Sequence, residues 1–317
     1  MIEVSNFSKK YGNKYAVKDL SFTIEDGYVY GLLGPNGAGK STTMNAITGY
    51  IAATEGTITI NGIDILKKPV EAKKHIGYLP EIPPLYPDMK VKEYLDFVSE
   101  LKKVDKKERK EQVGKIMEKV MINEVSGRLI RNLSKGYKQR VGLAAALIGY
   151  PDIIILDEPT VGLDPKQITE IRELIKDLSK EHTIILSSHI LSEVQAICDK
   201  ILIISEGKLV AMDTPEKLET QMSGEAETDA VIKGSKHDVS EALSTIEGVK
   251  EFALDDSDAS GLVSCRIITD KEFEIRDVLS LELSKSGLPV YELTTSKKSL
   301  EDVFLELTEG NENDSDI

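Results

Sequence analysis

Eight consecutive residues, Gly34-Pro35-Asn36-Gly37-Ala38-Gly39-Lys40-Ser41, limit what this chain can fold into more than any other feature of it. They match the pattern G-x-x-x-x-G-K-[ST] at every fixed position, between a strand-like run at 28–33 and a helix-like run at 42–48. A strand that turns through glycines into a helix leaves backbone N–H groups pointing into the turn, and the helix start adds partial positive charge. The segment therefore predicts a phosphate cradle on an α/β sheet, and every residue from Gly34 to Thr42 is assigned to nucleotide binding. Lys40 is placed to reach the β- and γ-phosphates, and the Ser41 hydroxyl to coordinate Mg²⁺.

Ile153-Ile154-Ile155-Leu156-Asp157-Glu158 supplies the complementary half of such a site. Four aliphatic residues in a row read as a strand buried on both faces, and open α/β sheets bind ligands at the carboxyl ends of such strands. Asp157 is assigned to the metal and Glu158 to orienting and deprotonating the attacking water, which together make hydrolysis of the bound nucleotide the expected chemistry.

The remaining pattern organises around these two motifs. Residues 1–60 read as short strands, with Thr57-Ile58-Thr59-Ile60 alternating before the hairpin signal Asn61-Gly62. Leu95, Val98 and Leu101, then Val113, Ile116, Met117 and Val120, recur at helical spacing and mark a helical insert over about residues 81–150. Strands at 153–156 and 183–186 joined by a helix at 165–180, then a strand at 200–205, complete a parallel α/β core ending at residue 219. Residues 220–228 read as a linker. Strand, helix, two strands, helix and strand then predict a small α+β domain of split βαβ type over 229–308, closed by a helix starting at Ser299. Residues 309–317 read as a disordered tail.

Charge and composition narrow the partners. Residues 220–317 hold 9 Lys and Arg against 23 Asp and Glu, which accounts for the whole formal net charge of -14. A neutral first part and an acidic second part lack the basic footprint of a nucleic-acid binder. No apolar run approaches the roughly 20 residues needed to cross a bilayer, and the start lacks a signal-peptide pattern, so a cytoplasmic location is expected. Cys198 and Cys265 stand apart, outside any metal-ligand spacing, and read as reduced thiols.

Over residues 1–219 the sequence resembles the ATP-binding subunits of ABC transporters. Leu133-Ser134-Lys135-Gly136-Tyr137-Lys138-Gln139-Arg140 is similar to the family signature, with Lys135 and Tyr137 where Gly and Gln are usual. The resemblance implies that Ser134 and Gly136 contact the γ-phosphate of ATP held by a second subunit, so that two ATPase subunits pair head to tail as a homodimer or with a sister chain. Val161-Gly162-Leu163-Asp164-Pro165 resembles the loop linking the two sites. His189 resembles the switch histidine, Tyr11 the aromatic that stacks on adenine, and Val17 closes the same nucleotide-binding set. Glu81 stands where Gln is usual and keeps an oxygen for Mg²⁺ or the attacking water while losing the amide donor. Lys135, Tyr137, Glu81 and Ser299-Leu300-Glu301-Asp302-Val303-Phe304 resemble the ABC-2 type bacterial branch, often associated with export.

The resemblance implies a P-loop NTPase core of the ABC-ATPase kind, with ATP and Mg²⁺ as ligands. It also implies a polytopic membrane permease as partner and a peripheral place on the inner face of the cell membrane. Catalysis is assigned to Glu158, His189 and Lys40. Two other readings stand beside it: a soluble ABC-type ATPase acting on ribosomes or DNA, and a nucleotide-gated interaction module. Against the first, about ninety residues without sustained heptads separate phosphate loop and signature; intact Glu158 and His189 argue against the second.

Overall fold

Ile153, Ile154, Ile155 and Leu156 have no exposed surface, as a strand covered on both faces requires. Their strand, Ile153–Asp157, lies in a six-stranded sheet with the order Lys208–Asp213, Lys200–Ser205, Val29–Leu33, Thr183–Ser187, Ile153–Asp157, Ile76–Leu79. Pairing is parallel except at the edge strand Lys208–Asp213. The register aligns Leu79 with Leu156, Asp157 with Ser187, and Ser187 with Leu32, so the phosphate loop, Glu81, Glu158 and His189 all follow the carboxyl ends of neighbouring strands. Those carboxyl ends are where an open α/β sheet holds ligands.

The computed structural model describes residues 1–222, 225–256, 261–270, 275–296, 301–302 and 304–305. They divide into two units, Met1–Pro215 and Glu216–Glu306. In the first, an antiparallel sheet of Lys14–Ile24, Ile2–Tyr11, Glu55–Ile60 and Ile63–Asp64 shares a core with the six-stranded sheet, through Phe7, Leu20 and Ile60 on one side and Tyr30 and Leu202 on the other, with Met44 of helix Lys40–Ile47 in the same cluster. The first two strands span 10 and 11 residues, longer than the alternation predicts. Irregular register between Val4 and Phe7, with Asn6 at φ 50°, breaks the period-two pattern without ending the strand. Asn61 and Gly62, at φ 50° and 75°, form the expected two-residue turn.

The insert contains helices Val91–Leu101, Lys106–Lys119 and Lys135–Leu147, packed through Leu95, Val113, Ile116 and Val141. Ser134 caps the last of them, its hydroxyl accepting the Tyr137 N–H at 3.4 Å. Among the described residues, no helix is long and apolar enough to cross a membrane.

The second unit is an antiparallel sheet in the order Val249–Asp256, Leu262–Asp270, Glu225–Lys233, Val290–Ser296. Helices Lys236–Thr245 and Ile275–Lys285 bury Val239, Leu243, Leu279 and Leu283 against Ile232 and Ile267. The described residues of the expected linker at 220–228 are regular structure, in helix Pro215–Met222 and strand Glu225–Lys233, and the units divide at Pro215 rather than at 219. That strand begins with polar residues held by backbone pairing to Leu262–Asp270, which needs no apolar period to form. Of the closing helix, Glu301, Asp302, Phe304 and Leu305 are helical; Ser299, Leu300, Val303 and the tail at 309–317 lie outside the described residues. Cys198 and Cys265 are both buried, which pushes both thiols up and keeps them unreactive.

Candidate functional site

The phosphate loop leaves strand Val29–Leu33 and enters helix Lys40–Ile47 through Gly39 at φ 106°. A Cβ at position 39 would lie 2.8 Å from the Ala16 carbonyl oxygen and 2.9 Å from Val17 Cγ2, so both backbone conformation and space require glycine there. The Glu206-Gly207 turn fastens the loop from behind: Gly207 N–H donates to Ala38 O at 2.9 Å, and Lys18 N–H donates to Gly207 O at 2.9 Å. Lys40, 9% exposed, donates from its ammonium to Gly34 O at 2.6 Å and Pro35 O at 3.1 Å. Burial lowers its pKa, against the charges of Glu158 and Asp157.

Asp157 ends its strand with Oδ1 accepting from Ser187 Oγ at 2.5 Å. Glu158, at φ 48°, turns sharply, and its N–H donates to Ser187 Oγ at 3.1 Å and Ser187 O at 3.2 Å. Its carboxylate Oε2 meets His189 Nδ1 at 2.9 Å; an ionised carboxylate only accepts, so the imidazole supplies the proton of this bond. Burial raises the Glu158 carboxyl, opposed by the His189 hydrogen bond and the Lys40 charge. The Tyr78 phenol is pushed up to about 12, first by burial and then by the adjacent Asp157 charge. A half-dry carboxyl with raised proton affinity, oriented by a histidine, has the form of a general base.

Asn36, Gly37, Gly39, Lys40, Ser41, Thr42, Glu81, Asp157, Glu158 and His189 line one cavity of about 370 Å³. Gly34, Pro35 and Ala38 shape the loop from outside that lining. Two of the expected residues lie outside that lining: Val17 has no exposed surface and packs in the core, and Tyr11 is 52% exposed, with the Lys9 ammonium 5.3 Å from its ring centre. Ala16 lines the cavity instead, because the strand Lys14–Ile24 points Val17 inward and its neighbour outward. Ser134 and Gly136 line a separate cavity of about 710 Å³ with Asp164 and Gln167.

Residues 17–161 match the ABC transporter family. The linearmycin resistance ATP-binding protein LnrL of Bacillus subtilis (strain 168) is 32% identical over 309 residues, spanning 97% of this chain and 98% of that protein. The chain belongs to the ABC transporter ATP-binding family. The bacitracin transport ATP-binding protein BcrA of Bacillus licheniformis is 33% identical over 322 residues, covering 98% of each. The dimeric structure of MJ0796, a bacterial ABC transporter cassette, superposes with a TM-score of 0.62 at 26% identity over 68% of this chain and 98% of that one. This ABC ATPase is thus an ATP-binding, ATP-hydrolysing transporter subunit.

Sequence reasoning missed Ser187, whose hydroxyl touches both carboxylate-bearing residues of the ABC ATPase, while Val161, the first residue of the loop expected to link the two sites, joins the cavity lining. Ser187 carried a signal: it ends an apolar run that reads as a buried strand, and a polar side chain so placed needs a partner, here Asp157 directly across the ladder.

Proposed function

We propose that this ABC ATPase powers export through a separate membrane-spanning permease, pairing with a second ATPase subunit on the cytoplasmic face of the membrane. The observation that carries this reading is the split of the site: Lys40, Ser41, Glu81, Asp157, Glu158 and His189 share one cavity, while Ser134 and Gly136 line another. A nucleotide bound by the first set is completed by the signature of a second chain, packed head to tail. Relatives named for linearmycin resistance and bacitracin transport support the export direction.

Mg²⁺ fits the donors present, since the Ser41 hydroxyl and the Asp157 and Glu81 carboxylates are hard oxygen ligands on one cavity wall, and such sites are completed by phosphate oxygens and water. Its contribution is to neutralise charge developing on the phosphates. The chain's own residues do the rest. Lys40 exchanges the Gly34 and Pro35 carbonyls for phosphate oxygen, Glu158 accepts the proton of the attacking water, and His189 holds the Glu158 carboxylate in place and contacts the γ-phosphate. Loss of that phosphate removes what Ser134 and Gly136 of the second chain grip, and the pair separates. Coupling runs through the helical insert, whose surface receives the permease.

The test is Glu158→Gln protein isolated from its native cells with ATP and mild detergent. Hydrolysis should fall by about 100-fold or more with nucleotide still bound, and a stoichiometric polytopic membrane protein should accompany it. A wild-type rate removes Glu158 from its role; ribosomal or DNA-bound material in place of a membrane partner overturns the transport reading.

A further inference from the structure

Behind the cavity, the loop after Glu158 and the loop before His189 are fastened to one atom. Thr160, 3% exposed, donates from Oγ1 to Glu193 Oε2 at 2.6 Å, and Ser188, fully buried, donates from Oγ to the same oxygen at 3.2 Å. Glu193 is 3% exposed on helix Leu191–Ile197, and its other oxygen, Oε1, lies 3.7 Å from Arg172 Nη2 on helix Pro165–Leu178. Ser188 Oγ in turn accepts the Ile190 N–H at 3.0 Å. None of Thr160, Ser188 and Glu193 lines the nucleotide cavity.

We propose that Glu193 is a positioning residue for hydrolysis, setting the separation at which Glu158 and His189 meet. This rests on the roles given above to those two residues. The Glu158–His189 bond of 2.9 Å joins side chains just beyond paired strands whose last partners are Asp157 and Ser187, so sheet pairing holds the strand ends but not the course of the loops that follow. A single carboxylate oxygen that receives a hydroxyl from each loop ties those two loops together. Burying a carboxylate carries a desolvation cost that an apolar residue of similar volume avoids, so core packing alone does not account for it. Arg172 and the two hydroxyls satisfy the charge, and Arg172 makes the clamp continuous with helix Pro165–Leu178, which starts at the Asp164 cap of the loop that links the sites.

Catalytic geometry is sensitive to such supports, since a displacement of about 1 Å can cost on the order of 100-fold in rate. The experiment measures steady-state kcat and KM for Mg·ATP, with thermal unfolding as a check of folding, on full-length Thr160→Val, Ser188→Ala, the double variant and Thr160→Ser. Each of the first two should lower kcat by about tenfold with KM held within about twofold, and Thr160→Ser, which keeps the hydroxyl, should restore the wild-type value. The double variant should fall no further than the weaker single one, because both hydroxyls act through one oxygen. Glu193→Gln, with a carbonyl oxygen still able to accept, should retain more activity than Glu193→Leu. A wild-type kcat in either single variant, or losses that multiply in the double one, overturns the clamp; if Glu193→Leu does not fold, the hydroxyl variants decide alone. Glu158→Gln and His189→Ala run alongside: wild-type rates in those two would overturn the site reading instead.

Discussion

Ser187 serves two carboxylate-bearing residues with one hydroxyl, donating to Asp157 Oδ1 at 2.5 Å and accepting the Glu158 N–H at 3.1 Å. The residue expected to hold the metal and the residue expected to take the proton are therefore spaced by a common neighbour.

Replacing that neighbour should be felt by the metal first. In Ser187→Ala, Asp157 loses its donor and the Glu158 N–H keeps only the carbonyl of residue 187 as acceptor. ATP hydrolysis should require several times more Mg²⁺ and kcat should fall by about tenfold, at a stability cost of about 1 kcal/mol. A Mg²⁺ titration of the ATPase rate checks this; an unchanged midpoint would count against the assignment of Asp157.

The raised Glu158 carboxyl, caused chiefly by burial, predicts opposite pH trends for rate and stability. The base form fills only above the raised pKa, so the acid limb of the rate profile should lie above the ordinary carboxylate range. For folding, the native chain keeps this proton over a window in which the unfolded chain has lost it. Stability from this group is thus full below the unfolded value and is lost as pH rises through the folded one. Urea unfolding across that window, in wild type and Glu158→Gln, should show a downward slope in the first that is missing in the second.

Gly39→Ala tests the cradle. A methyl at φ 106°, 2.8 Å from the Ala16 carbonyl oxygen, should cost about 1–3 kcal/mol and distort the phosphate loop. Thermal unfolding and nucleotide titration should report both losses, and intact binding in a destabilised protein would place the loop's rigidity outside its function.

Glu81→Gln restores the amide usual in the family at a residue that lines the cavity. Nucleotide affinity should persist, because the carboxamide oxygen still accepts and coordinates. Complete loss of binding, measured by titration with Mg·ATP, would sink the role given to Glu81.

Much of this was legible in the residues themselves. The phosphate loop and Ile153–Asp157 carry their geometry locally, in glycine spacing and an unbroken aliphatic run, so the sheet and the position of Lys40, Asp157 and Glu158 could be read directly. Less local features were not. Strand Glu225–Lys233 begins with mostly polar residues whose pairing partners lie about forty residues away at 262–270, and nothing in its own composition marks its start as a strand. Which of Ala16 and Val17 faces the cavity is not readable either, since irregular register beside them interrupts the strand's alternation. The contact of Glu193 with Thr160 and Ser188 depends on three segments meeting in space, and no spacing in the sequence announces it.

The backbone at Glu158 also acts as a filter on variation. A residue at φ 48° is tolerable for Asn, Asp or Gly and a poor choice for Val, Ile or Thr, whose branched Cβ crowds that conformation. A saturation library scored for cellular abundance should therefore rank position 158 by side-chain shape, with asparagine and glycine abundant and valine and isoleucine scarce. The same library scored for growth under selection should rank it by acidity and leave glutamate alone at the top. Two different orders at one position would separate what the fold demands there from what the chemistry demands.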